Sequence, residues 1–147
     1  MKIAFACAIL AVTGLFSYSV LAQEDPQVAE DAGSKWFQGI DGGDLTDLYD
    51  AQTAPIFKDA VGKSLFTQNI GVLRIQSGGP ANTRSVQGAQ FFDHLPTGKI
   101  GEFYYIRYLA AHPAGSVFED VYLEKIGDAW QVYAFYFYPA PGAAPTH

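Results

Sequence analysis

The sequence predicts an α+β fold in which N-terminal helices pack on a curved four-stranded antiparallel sheet. Three observations lead there. Apolar residues recur every three to four positions as far as Leu73. After Gly78-Gly79-Pro80 the recurrence changes to every second residue. The later segments are joined by loops short enough for hairpins. Helices grouped ahead of consecutive strands argue against alternating βαβ units and the parallel sheet they build.

Asp25 suits a helix N-cap and Pro26 the first helical position. Val28, Ala32, Trp36 and Ile40 then recur every four residues, and Ala29 and Phe37 widen the stripe into a core-facing side. Gly42-Gly43 ends that helix. Asp44 and Asp47 supply a cap and an acidic first turn for a short second helix that carries Leu45, Leu48 and Tyr49 inward. Pro55 starts another turn bearing Ile56, Phe57 and Val61, and after Gly62 the residues Leu65, Phe66, Ile70 and Leu73 again fit helical spacing.

Strands are expected over 84–92, 99–109, 117–125 and 130–138. In the second, Phe103, Tyr105, Arg107 and Leu109 share one face and Tyr104, Ile106 and Tyr108 the other. In the third, Val117, Glu119, Val121 and Leu123 lie together, opposite Phe118, Asp120, Tyr122 and Glu124. The fourth is aromatic on both faces, from Tyr133 through Tyr138. A strand this apolar at a sheet edge invites aggregation, so it is expected to sit centrally or to be covered, for instance by a second copy of the chain. An oily sheet face needs a roof, and the first helix offers Trp36, Phe37 and Ile40. A helix laid on a curved sheet commonly leaves a cone-shaped pocket between the two.

The first 22 residues read as an export signal. Lys2 gives a positive start, Ile3 to Phe16 is apolar apart from Thr13 and Gly14, and Val20-Leu21-Ala22 offers small residues for cleavage. A retained membrane anchor is the rival reading, because residues 3–22 are long enough to span a bilayer. Cleavage is favoured by the loosening at Ser17 and Ser19 and by the absence of a basic cluster after Ala22. The expected organisation is a signal peptide over 1–22, one domain over 23–138 and a disordered Pro/Ala/Gly-rich tail over 139–147, with the mature protein in the periplasm. Cys7 is the only cysteine and leaves with the leader, so the mature chain has no disulfide and no thiolate ligand. Loss of Lys2 takes the net formal charge from −6 to −7. An acidic surface disfavours nucleic acid and anionic lipid.

In order along the chain come Trp36, Ile40-Asp41-x-Gly43-Asp44, Phe57-Lys58, Arg74-x-x-x-Gly78 and Arg84. Leu95-Pro96, Gly101-Glu102-Phe103, Glu119-Asp120-Val121-Tyr122-Leu123 and Gly127-Asp128-Ala129-Trp130-Gln131-Val132 follow. Each piece is common alone. Their order and spacing resemble the bacterial domain of unknown function 4019 over roughly residues 28 to 138. The chain has Leu48-Tyr49 where the pattern suggests Ser-Trp, and Phe66 where it suggests Trp, and both swaps keep an apolar side chain. The resemblance implies a cystatin-like or nuclear-transport-factor-like α+β outline and an exported protein. It supplies no catalytic residue.

Among polar residues Glu119 stands out, because alternation places its carboxylate beside Val117, Val121 and Leu123. A buried charge needs a partner, so an arginine is expected against it: Arg74, Arg84 or Arg107. These four and Trp36 form the candidate binding or buried polar set. Asp41, Asp44, Asp47 and Asp50 read as a solvated helix face, since their spacing of three does not make a calcium loop. His94 and His112 read as solvated loop residues. No histidine pairing with metal-ligand spacing occurs, no serine lies in a nucleophile-elbow context, and Gly78-Gly79-Pro80 lacks the lysine of a phosphate loop. Neither metal nor cofactor is expected. The function expected is a non-catalytic binding or interaction module for an unidentified small molecule or envelope protein. The alternatives are a small isomerase- or dehydratase-like enzyme pairing Glu119 or Asp120 with a tyrosine or His94, and a homodimer joined through the aromatic sheet face.

Overall fold

The computed structural model describes residues 25–141, so the leader and residues 142–147 lie outside the described part. Within it, helices α1 (Pro26–Gly42), α2 (Leu45–Gln52), α3 (Pro55–Ala60) and α4 (Lys63–Ser77) precede strands β1 (Thr83–His94), β2 (Ile100–His112), β3 (Gly115–Ile126) and β4 (Ala129–Pro139). None of these helices is long and apolar enough to cross a membrane. The strands form one antiparallel sheet in the order β1-β2-β3-β4.

Local chemistry sets the helix ends. The Asp25 carboxylate accepts from the Gln27 amide at 3.0 Å, and Asp44 accepts from the amides of Thr46 and Asp47 at 2.8 and 3.0 Å. Gly78 closes α4 with φ of 73°, a left-handed conformation that favours glycine.

The core lies between the helices and one sheet face. Trp36 is fully buried, with its indole 5.4 Å from the Phe135 ring and 5.7 Å from Phe66, centroid to centroid. Phe37 meets Tyr108 and Phe137 edge-on at 5.6 and 5.7 Å. The buried stripe of α1 is Ala29, Gly33, Trp36, Phe37 and Ile40. Val28, expected inside, is exposed, and so are Ile56 and Leu65. The stripe runs through Ala29 and Gly33 and leaves Val28 outside, with Gly33 close against the sheet. A Cβ there would lie 2.7 Å from the Tyr108 hydroxyl and 3.0 Å from Val121. The Tyr108 hydroxyl in turn donates to the Glu30 carbonyl at 2.6 Å, tying α1 to β2.

A β-bulge explains why β4 is aromatic on both sides. Tyr122 pairs with Ala134 but Leu123 pairs with Val132, so Tyr133 is the extra residue. Trp130 and Val132 face the core before the bulge, and Phe135 and Phe137 face it after. Tyr133, Tyr136 and Tyr138 are left for the outer face. β4 is an edge strand, contrary to a central placement. Its first half is covered from within the chain, because Thr53 forms an isolated parallel bridge to Val132 and the Ala54 amide donates to the Val132 carbonyl at 2.8 Å. Pro139 closes β4 and the Ala140 amide donates to the Ser116 carbonyl at 3.1 Å.

Candidate functional site

Alternation along β3 puts Glu119 on the core face, where it is fully buried. Its partner is Arg84 of β1. The register runs Arg84 to Ala110 and Ala110 to Val117, and the small Ala110 side chain leaves room for the guanidinium to cross β2. Arg84 Nε donates to Glu119 Oε2 at 2.5 Å and Nη2 to Oε1 at 3.0 Å, a two-pronged pair. The Arg84 guanidinium carbon also lies 5.5 Å from the centre of the Phe37 ring. Burial pushes the Arg84 pKa down, but the hydrogen bonds and charges of Glu119 and Asp41 outweigh it and hold the group above its ordinary value.

Two residues not expected here complete the network. Asp41, near the end of α1, accepts from Arg84 Nη2 at 2.9 Å and from the Ala81 amide at 3.3 Å. It is therefore no solvated member of an acidic face. His112 closes β2 and is buried, not a solvated loop residue. Its Nδ1 lies 3.0 Å from the Gly79 carbonyl and its Nε2 3.0 Å from Glu119 Oε1. A carbonyl only accepts, so Nδ1 carries a hydrogen. One further proton must then be shared between Nε2 and Oε1. With it, the two carboxylates, the guanidinium and the imidazole sum to zero charge.

The other candidates lie elsewhere. Arg74 Nε donates to the Ile40 carbonyl at 2.5 Å, and its Nη2 donates to Gly39 and Gly43 at 3.1 and 2.9 Å. It gathers the loose carbonyls at the end of α1, where a cation also suits the helix dipole. Arg107 lies on the outer face and grips Asp120 with two bonds of 2.7 Å. Trp36 is core, and its indole N–H has no hydrogen-bond partner among the described residues. His94 is exposed and paired to the adjacent Asp93.

Beside the network opens a pocket of about 260 Å³, between the ends of α1 and α4 and the β2–β3 and β4 ends. Ile40, Leu73, Val117 and Phe137 give it apolar walls, while Asp41, Arg74 and His112 bring polar groups to it. A second hollow of about 320 Å³, between α3, α4 and β4, has aromatic walls and no charged lining residue among those described.

The family model described as a protein of unknown function (DUF4019) matches residues 32–135. The chain belongs to the DUF4019 family. No curated protein matches it. The matched span of this DUF4019 chain includes Asp41, Arg74, Arg84, His112 and Glu119, so the network lies within the shared domain, while the pocket wall formed by Phe137, Tyr138 and Pro139 lies just beyond it.

Asp41, His112 and Glu119 each present a ligand atom, all within 4.8 Å of one another. That spacing would suit a cation, but Arg84 already stands among them with a bond to each carboxylate. Both imidazole nitrogens are engaged as well. A divalent ion would have to displace a guanidinium held by three bonds, so the donor set does not fit a resident metal.

The outer face of this DUF4019 domain carries Tyr105, Tyr122, Tyr133, Tyr136 and Tyr138, with Tyr105 and Tyr122 rings 4.9 Å apart. Burial, reinforced for Tyr105 by Asp120 and for Tyr133 by Tyr122 and Glu124, pushes both phenols up to about 12, and burial raises Tyr122 and Tyr108 as well. A phenol whose folded pKa is raised contributes stability that is complete below its unfolded value and lost as pH climbs through the folded one. Urea midpoints should therefore hold steady to about pH 10 and fall between about pH 10 and 12. A midpoint unchanged across that window would contradict the packing of these rings.

Two signals for the missed residues were present. Asp41 follows Phe37 by four positions, one helical turn along the core stripe. His112 continues the Tyr104, Ile106, Tyr108, Ala110 alternation that faces the helices. Ending β2 at Leu109 hid it.

Proposed function

We propose that this DUF4019 protein is an exported, non-catalytic binding module whose ligand site is the pocket beside the Arg84–Glu119 network. One observation carries the reading. His112 at the pocket's edge and Glu119 behind it are bonded to each other, to Arg84 and to Gly79. A general base needs a lone pair free for substrate, and a general acid needs a proton it can release. Here both imidazole nitrogens and the shared proton are engaged within the network and the carboxylate is clamped by Arg84, while the apolar walls remain open to a small molecule. The acid/base alternative through Glu119 loses its main support. His94 is distant in kind, being exposed and paired to Asp93. Tyr105 does meet Asp120, at 3.1 Å, but that carboxylate is held by Arg107 on the outer face.

The test is a ligand-observed NMR screen of small apolar fragments against the wild type and a Val117→Phe variant that narrows the pocket. Fragments should bind the wild type and lose contact with the variant, with no fragment converted to product. Binding undiminished by Val117→Phe would place the ligand elsewhere, and turnover of any fragment would overturn the non-catalytic reading. Export is tested separately by the mass of the protein recovered outside the cytoplasm. A start near Gln23 is expected, and a membrane-bound form retaining residues 1–22 would favour the anchor instead. Tyr136 and Tyr138 are about half exposed on the outer face, at 50% and 45%, which keeps self-association in view. A monomeric mass by light scattering would remove the homodimer.

A further inference from the structure

The charges around the pocket do not all cancel, and the remainder points to a ligand class. We propose that the pocket takes an apolar monocarboxylate, its carboxylate accepting from Nη1 of Arg74. The inference rests on the binding reading above and adds the head group to it.

The charged groups at the pocket and directly behind it come from five elements: Asp41, Arg74 and His112 line it, and Arg84 and Glu119 lie behind Asp41 and His112. Asp41 of α1, Arg84 of β1 and Glu119 of β3, together with the proton that Glu119 shares with His112 of β2, are neutral as a set. That leaves Arg74 of α4. Its guanidinium has five N–H donors, and three of them go to the carbonyls of Gly39, Ile40 and Gly43. The two hydrogens on Nη1 have no partner among the described residues. No aspartate or glutamate among those residues pairs with Arg74 either, although Arg84, Arg107, Lys63 and Lys99 each have one. The C-terminal dipole of α1 offsets only about half a charge.

The pocket is therefore locally positive within a strongly acidic chain. Anions are repelled by most of an acidic surface, and Arg74 offers them two unengaged N–H donors beside the cavity. The rest of the cavity selects the body of the ligand. Ile40, Leu73, Val117 and Phe137 offer it no hydrogen bonds and favour an apolar body, although Gln76, Ser77 and Ser116 also reach the lining. About 260 Å³ falls a little below the range of drug-sized sites, so it must also be compact.

The experiment is a set of calorimetric titrations of the full domain with hexanoate, hexan-1-ol and hexylamine, which share one body and differ in head group. Hexanoate should bind about tenfold or more tighter than the alcohol, with the amine weakest. Arg74→Met should bring hexanoate down to the level of the alcohol while leaving the alcohol unchanged. Because Arg74 also caps α1, its variant is first checked by circular dichroism. If it is unfolded, salt dependence on the wild type replaces it, with hexanoate affinity falling as salt rises and alcohol affinity flat. Equal binding of acid and alcohol, or preference for the amine, would overturn the carboxylate inference while leaving the binding module standing, the second outcome assigning control to Asp41. Binding of none of the three would overturn both.

Discussion

Replacing Arg84 with Met is expected to cost about 3–5 kcal/mol of folding stability, because it leaves two neighbouring carboxylates one positive charge short, with only the proton shared with His112 to offset them. Glu119 is fully buried and cannot turn to water. Asp41 would lose its one ion-pair partner among the described residues. Urea denaturation followed by circular dichroism reads the effect, and a loss under about 1 kcal/mol would mean that the buried charge is compensated some other way. The double variant Arg84→Met/Glu119→Leu should recover a large part of the loss, since it removes the stranded acid along with its partner. Glu119→Gln keeps the shape and should fall between wild type and Arg84→Met. It leaves His112 and Arg84 with a weaker acceptor and no shared proton.

Trp36→Ala is the apolar counterpart, with an expected loss of about 3–5 kcal/mol. The indole fills the space between Phe57, Phe66 and Phe135, at centroid distances of 6.5, 5.7 and 5.4 Å, and these rings cannot close the gap without dragging α3, α4 and β4 together. Trp36→Phe should cost much less. The indole N–H has no partner among the described residues, so its removal gives up volume but no hydrogen bond. Comparable losses for Ala and Phe would show that something specific to the indole, and not its bulk, holds the helix layer on the sheet.

Most of the fold was legible because its signals are local. Asp25-Pro26, Asp44, Pro55 and Gly78 each act within one turn of their own position, and the helices begin and end where they indicate. The strand faces of β2 and β3 follow from alternation alone. What stayed hidden depends on contacts distant in sequence. The burial of Gly33 reflects the approach of Tyr108 and Val121, which no periodicity in α1 can announce. The bulge at Tyr133 reverses which aromatic residues of β4 face inward, and it is defined only by the register with β3.

The candidate site was legible in part for the same reason. A carboxylate on an apolar strand face demands a partner, so an arginine beside Glu119 could be anticipated. The choice of Arg84 over Arg107 turns on parity. Arg107 pairs with Asp120 and shares its face, away from the helices. Arg74 and Arg84 could not be ranked from the sequence, because the reach across Ala110 is a matter of sheet register. Asp41 and His112 enter through the same register, being separated from Arg84 by 43 and 28 residues.

The account turns on whether Glu119 and His112 are fixtures of the fold while the neighbouring cavity does the binding. The most direct measurement follows the side-chain nitrogens of His112 and Arg84 by NMR while hexanoate is titrated in. Amides at Ser116 and Val117 should shift with ligand, while His112 Nε2 and Arg84 Nε keep their positions and the hexanoate spectrum stays that of hexanoate. Imidazole nitrogens that move in step with the ligand, or an acid that turns into something else, would contradict it.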